Sequence, residues 1–179
     1  MITSTSNQQM KNLSQLMKKA KTRKEQGLFV VEGRKMFQEV PKAWLRQVYA
    51  SESFVQENES LLADCAYEMV SDSVFKVVSD TQTPQGILCL VEQPSYELSD
   101  LLCGEKTHLL ILESIQDPGN LGTMLRTGEG AGITGVIMNR TTVDLFNPKT
   151  IRSTMGSIYR MPYVVTDDLT GTVKELQAD

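Results

Sequence analysis

His108-Leu109-Leu110-Ile111-Leu112-Glu113 is a short apolar run of strand length, and the chain beyond it repeats the order of turn, helix and strand. An apolar run without polar alternation belongs to a strand buried on both faces, as in a parallel sheet. The pattern continues with a helix over 121–131, a strand over 135–138, a helix over 148–159, a strand over 162–165 and a helix beginning near Leu169. Such alternation predicts an open parallel α/β sheet with right-handed crossovers. Three strands make a small sheet with exposed edges. The chain stops at Leu176-Gln177-Ala178-Asp179, inside the last predicted helix, so an incomplete domain is expected.

A separate, smaller α/β unit precedes it. Leu13, Leu16, Met17 and Ala20 recur at helical spacing and predict a helix over 10–24, stopped by Gly27. Strands are predicted over 28–31, 47–50, 67–70 and 86–91, with helices over 34–40, 55–63 and 73–78. A polar stretch around Pro94 reads as a linker. The expected organisation is a first domain over 1–94, a linker over 95–106 and a second domain over 107–179.

Composition removes several function classes. With 40% hydrophobic and 22% charged residues the chain is globular. No apolar run approaches the roughly 18 residues of a bilayer span, and Met1 to Asn7 lacks the apolar core of a secretory signal. A cytoplasmic protein without a membrane segment is expected. Cys65, Cys89 and Cys103 form an odd set with no C-x-x-C, which predicts reduced thiols, mostly buried, and no metal site. His108 is expected to enter the buried strand, and Phe37 and Trp44 to pack in the core.

The net charge of -4 hides an asymmetry. Residues 1–34 hold Lys11, Lys18, Lys19, Lys21, Arg23, Lys24 and Arg34 against Glu25 and Glu32, a net +5 that leaves -9 for the remaining 145 residues. A run such as 18–24 can neutralise phosphates. It also suits an ordinary solvated helix, which on charge alone is the commoner case.

The stretch Gln116-Asp117-Pro118-Gly119-Asn120-Leu121-Gly122-Thr123-Met124-Leu125-Arg126-Thr127 comes after the first strand of the second domain, at the end of the sheet where open α/β folds bind ligands. Asp117-Pro118-Gly119 is turn chemistry, and Asn120 is placed to cap the next helix. Gly122 and Arg126 lie four apart on one face. With no side chain at 122, a guanidinium at 126 and the helix N-terminus together suit a phosphate. Equally, Asn120 only caps, Gly122 only permits close packing and Arg126 only pairs with Glu129. A second cluster, Asn147-Pro148-Lys149 through Arg152, opens the next helix with a cap and a first-position proline. Ile151, Met155, Ile158 and Tyr159 form its core stripe, while Lys149 and Arg152 share a side that is either phosphate-binding or simply solvated.

These residues carry a family resemblance. The 116–127 stretch resembles the first signature motif of the SpoU/TrmH family of RNA ribose 2′-O-methyltransferases, and Asn147-Pro148-Lys149 with Arg152-Ser153-x-x-Gly156 resembles the family segment next in order. Phe29-Val30-Val31-Glu32-Gly33 and Ser79 through Ile87 are similar to the small RNA-binding domain that precedes many such catalytic domains. The resemblance implies a SPOUT fold, knotted in the intact family, that dimerises and transfers a methyl group from S-adenosyl-L-methionine to a ribose 2′-hydroxyl. It implies Arg126 as the catalytic arginine, Asn120 as its companion and Glu129 as a nearby residue. A guanidinium stays protonated in proteins, which favours a role in positioning phosphate and hydroxyl; proton acceptance by the arginine is the family's other reading.

With the resemblance added, Lys21, Arg23, Lys24, Gly33 and Arg34 become RNA contacts, together with Lys149 and Arg152. Aromatic residues are only 6% of the chain, so phosphate and shape contacts are expected to dominate over stacking. Ribosomal RNA is the favoured substrate and transfer RNA the second. Two further family motifs, a Gly-Glu/Asn-Glu-Gly loop and a Ser-Leu-Asn segment, normally come next and build the knot and the cofactor pocket. A chain ending at Asp179 is expected to lack most of that pocket, so no cofactor-binding residues are named. The alternative function is an RNA-binding fragment or decayed paralogue without transfer activity.

Overall fold

Lys19 breaks what the apolar spacing predicts as one helix. In the computed structural model, which describes residues 1–102 and 106–178, α1 covers Gln8–Lys18 and α2 covers Ala20–Gln26, with Lys19 extended at φ -122 and ψ 115 between them. The chain divides into two compact units, Met1–Pro94 and Ser95–Asp179.

In the first unit, α1 and α2 lead into β1 (Leu28–Glu32), α3 (Arg34–Glu39), β2 (Leu45–Ser51), α4 (Glu52–Glu57), α5 (Glu59–Leu62), β3 (Glu68–Val70), α6 (Asp72–Val78) and β4 (Ile87–Glu92). The sheet order is β1-β4-β2-β3, antiparallel except for the parallel β2–β3 pair. One core joins Met10, Leu13, Leu16 and Met17 of α1 to Val30, Tyr49, Leu88 and Leu90 of the sheet and to Val74, Phe75 and Val78 of α6. Alternation along the strands turns Phe29, Val31, Val48 and Cys89 to the other face, and all four are buried. The helix expected over 55–63 is split at Asn58. Burial pushes the Cys89 thiol up, and that of half-buried Cys65 too, which keeps both protonated; Cys103 lies outside the described residues.

The second unit begins with α7 (Leu98–Leu101), inside the stretch expected as linker, where Glu97 and Asp100 form a reciprocal capping box. Its Leu101 side chain stands where a Cβ on Gly135 would be, with Cγ 2.6 Å from that position. Then come β5 (Leu109–Leu112), α8 (Pro118–Gly130), β6 (Gly135–Asn139), α9 (Pro148–Thr154), a 3₁₀ turn at Ser157–Tyr159, β7 (Tyr163–Thr166) and α10 (Leu169–Ala178). The strands pair in parallel in the order β5-β6-β7. The predicted parallel α/β pattern is therefore present.

Three local expectations fail for identifiable reasons. The central strand β6 is buried from Gly135 to Met138, but β5 is an edge, leaving Ile111 39% exposed and His108 exposed ahead of it. The helix over 148–159 stops early because Met155 and Gly156 are both left-handed, at φ 52 and φ 102. That turn puts Met155 in solvent, 43% exposed, while Ile151, Ile158 and Tyr159 stay buried.

Candidate active site

The loop between β5 and α8 is stitched to the loop after β6. Ser114 takes a left-handed conformation, φ 53, and the Asn139 side chain holds it there: Asn139 Oδ1 accepts the Ser114 N–H at 2.9 Å, and Asn139 Nδ2 donates to Ser114 Oγ at 3.2 Å. Gln116 Nε2 donates to the carbonyls of Ser114, at 3.1 Å, and Thr141, at 2.8 Å, and the Val143 N–H reaches the Ile115 carbonyl at 2.8 Å. A non-glycine residue at positive φ costs conformational energy that neighbouring bonds must offset. The clamp on Ser114 is not legible in sequence, because it joins residues 25 positions apart.

This fixed loop delivers Asp117 to the start of α8. Asp117, and not Asn120, is the cap: its Oδ1 accepts the Asn120 N–H at 2.8 Å. Pro118 opens the helix ahead of the expected start at Leu121, so Asn120 falls in the first turn, exposed. The Asn120 N–H holds the Asp117 carboxyl below its ordinary value, and the nearby Lys149 ammonium adds to this.

No open space lies at Gly122. A Cβ there would lie 2.5 Å from the Thr150 carbonyl oxygen and 2.6 Å from Ser153 Cβ, so α9 fills the position and the glycine serves close helix packing. Arg126, one turn on, is exposed, and among the described residues its side chain has no hydrogen bond or ion pair. Glu129, the partner it would have in a purely structural role, is paired instead with Arg160, with a second contact at 3.3 Å. On α9, Asn147 caps by accepting the Lys149 N–H at 2.9 Å, and the Lys149 ammonium sits 3.4 Å from Asp117 Oδ2. Arg152 is half-buried one turn further along the same helix. The two signature segments thus pack together, with Arg126 left available to a ligand.

The first unit redistributes the expected RNA contacts. Arg23 is buried, 3% exposed: its guanidinium donates to the carbonyls of Leu16, at 2.5 Å, and Met17, at 3.2 Å. The break at Lys19 leaves those carbonyls without helical partners, and Arg23 satisfies them. It is a structural cap, not a surface cation. Lys21 and Lys24 are exposed, with Lys21 3.8 Å from Glu25.

Gly33 has φ 106, and its N–H donates to the Ile87 carbonyl at 3.0 Å, while the Arg34 N–H donates to Gln85 Oε1 at 3.1 Å. Those backbone donors, expected to face phosphate, are used within the domain, while the side chains of Arg34 and Lys35 are exposed. The Glu32 carboxylate accepts from the hydroxyls of Ser79, at 2.8 Å, and Thr81, at 2.7 Å, so the 79–86 loop is pinned on both sides of Gly33.

Both units have relatives among known proteins. Residues 7–89 match the MRM3-like substrate binding domain and residues 107–179 match the SpoU rRNA Methylase family. The chain is 34% identical to the Bacillus subtilis 23S rRNA (guanosine(2553)-2'-O)-methyltransferase RlmP over 99% of its own length and 69% of that protein's. It is 32% identical to the human mitochondrial rRNA methyltransferase 3, over 83% of this chain and 37% of the relative. The AdoMet-bound rRNA methyltransferase of Sinorhizobium meliloti superposes with a TM-score of 0.82 at 26% identity, covering 99% of this chain and 67% of that one.

The chain belongs to the SpoU rRNA methylase family. Its class is that of RNA ribose 2′-O-methyltransferases, with S-adenosyl-L-methionine as methyl donor. Glu113, Ser114, Gln116 and Thr141, at the carboxyl end of the sheet, present an open wall, and all four are exposed. With all four side chains exposed, no donor contacts are assigned to them. No group of His, Cys, Asp and Glu among the described residues could hold a metal ion, and no helix there is long and apolar enough to cross a membrane.

Proposed function

We propose that this chain acts in the cytoplasm on ribosomal RNA, that the first unit holds the substrate and that Arg126 of the second unit aligns the target nucleotide. The observation that carries this reading is the state of Arg126: exposed, without internal partners among the described residues, and set on α8 by the cap at Asp117 and the packing at Gly122. A residue with a structural task would be paired, as Glu129 is with Arg160.

The bound donor supplies an electrophilic methyl group, so the protein's task is to bring a ribose hydroxyl to it in line. Arg126 grips the phosphate beside the target nucleotide through its planar, permanently charged fork. Holding the nucleophile in a near-attack geometry lowers the barrier, and the hydroxyl proton leaves to solvent rather than to the permanently charged guanidinium. Asn120, exposed in the first turn of α8, offers its amide to the same nucleotide. Lys149 and Arg152 supply further phosphate contacts, with Lys149 shared between RNA and Asp117. Glu129 acts through Arg160 as a brace for the end of α8. In the first unit Lys21, Lys24 and Arg34 carry the RNA, and Gly33 shapes the turn that presents Arg34. Two copies of the chain work together, as the family resemblance implies.

Transfer of radiolabelled methyl groups to ribosomal and to transfer RNA, with the modified position read by resistance to alkaline cleavage, tests this function. Label at a ribose 2′-oxygen of ribosomal RNA is the expected result. Label on transfer RNA alone would replace the substrate, and RNA binding without label under saturating donor would favour a binding protein. Sedimentation of the wild-type chain tests the pairing of two copies.

A further inference from the structure

A cavity of about 300 Å³ opens at the end of the first unit's sheet where β2 stops and β4 starts, lined by Ser53, Phe54, Glu57, Asp72, Lys76, Pro84 and Gln85 among others. That volume lies at the lower limit of small-molecule sites, enough for one base and far too small for a duplex. It adjoins the loop already pinned at Gly33, because Gln85 belongs to both.

Its polar groups have spare capacity of a particular kind. Asp72 Oδ1 accepts the Ser53 hydroxyl at 2.7 Å and the Ser53 N–H at 3.2 Å. An ionised carboxylate accepts about four hydrogen bonds across its two oxygens; Ser53 fills Oδ1, and Oδ2 is the oxygen open to further N–H donors. Those bonds from Ser53 hold the Asp72 carboxyl below its ordinary value and keep it charged. Gln85 spends its Oε1 on the Arg34 N–H, and among the described residues its Nε2 donates to nothing. Lys76, one turn from Asp72 on α6, is exposed and has no ion pair among the described residues. Phe54 and Pro84 add apolar wall.

We infer that this cavity receives one unstacked base of the RNA substrate, and that the base is guanine. RNA is read in sequence chiefly through splayed-out bases, on their Watson–Crick edges. A carboxylate with Oδ2 open to further N–H donors, beside an amide and an ammonium that can donate, matches an edge with adjacent N–H groups next to a carbonyl oxygen. Guanine has that edge in N1–H, the 2-amino group and O6. Adenine and cytosine offer the carboxylate a single amino group, and uracil a single N–H between two oxygens. This inference rests on the reading of the first unit as the RNA-holding domain.

The test is fluorescence anisotropy of the full chain with labelled single-stranded oligoadenylates carrying one central guanosine, inosine, cytidine or uridine, at one fixed salt concentration. The guanosine oligomer is expected to bind about tenfold more tightly than the inosine one, which lacks only the 2-amino group. Asp72→Asn should remove that preference and leave the other oligomers unchanged, with the melting temperature as control. Lys76→Ala, a change in an exposed side chain, should weaken guanosine binding more than adenosine binding. Equal affinity for all oligomers, or an equal loss with all of them in Asp72→Asn, overturns the guanine pocket while the RNA-holding role stands. No binding to any oligomer or to ribosomal RNA overturns both.

Discussion

Asp117 and Lys149 join the two signature segments: the carboxylate that caps α8 through the Asn120 N–H also faces the Lys149 ammonium at 3.4 Å. The pair is solvent-exposed, so its Coulomb contribution is small, and its value is geometric. It fixes the entry of α8 to the entry of α9, and with them Arg126 and Arg152.

Because hydrogen bonding from Asn120 lowers the Asp117 carboxyl, the cap favours the folded state wherever the unfolded carboxyl is ionised, above its ordinary 3.8. That contribution is lost as pH falls through the depressed folded value. Asp117→Asn is therefore expected to lower the melting temperature of the second unit at neutral pH and to flatten its dependence on pH on the acid side. Thermal melts from pH 7 downward check this; parallel curves for the two proteins would argue against the cap.

Gly122→Ala is expected to destabilise the second unit by about 1–3 kcal/mol, as overpacking does. The added Cβ meets backbone at 2.5 Å, the Thr150 carbonyl oxygen, which cannot rotate aside. Calorimetry should show the change in the second unit's transition alone.

Arg23→Met should destabilise the first unit by about 1.5–3 kcal/mol, the range for hydrogen bonds to a charged group, with no change in the salt dependence of RNA binding. Lys24→Ala should do the opposite: unchanged stability, and a salt slope reduced by about 1. Affinity measured at several salt concentrations, beside denaturant melts, separates the cap from the contact.

Those two residues show how much the sequence carried. Element order in both units, the parallel sheet and the motif positions rest on local apolar periodicity and on caps and turns, which depend on neighbours in the chain. Arg23 and Lys24 look alike in a basic run, and only the break at Lys19 decides which of them turns inward. Asn120 and Gly122 are recognisable as motif residues, but their tasks depend on Asp117 and on α9, contacts that helix spacing does not encode. The clamp of Asn139 on Ser114 leaves no mark at all, since Asn at a strand end is ordinary turn chemistry.

Asn139→Ala should release the Ser114 turn and slow methyl transfer about tenfold or more at saturating RNA, with RNA affinity unchanged, because the loop that sets α8 loses its brace. Ser114→Gly, which accepts the left-handed backbone freely, should restore part of the rate in the double variant. Single-turnover kinetics with separately measured Kd values decide this; a loss confined to affinity would move Asn139 into the RNA-binding surface.

The most direct measurement is single-turnover methyl transfer to ribosomal RNA by the wild-type protein, Arg126→Ala and Arg126→Lys, each paired with its RNA Kd and melting temperature. Arg126→Ala should reduce transfer by about 100-fold or more, the scale on which one preorganised charged contact acts, while RNA binding changes only a few-fold and the melting temperature stays put. Arg126→Lys should recover part of the rate, since an ammonium still meets phosphate but without the planar fork. Transfer by Arg126→Ala at the wild-type rate would contradict the account.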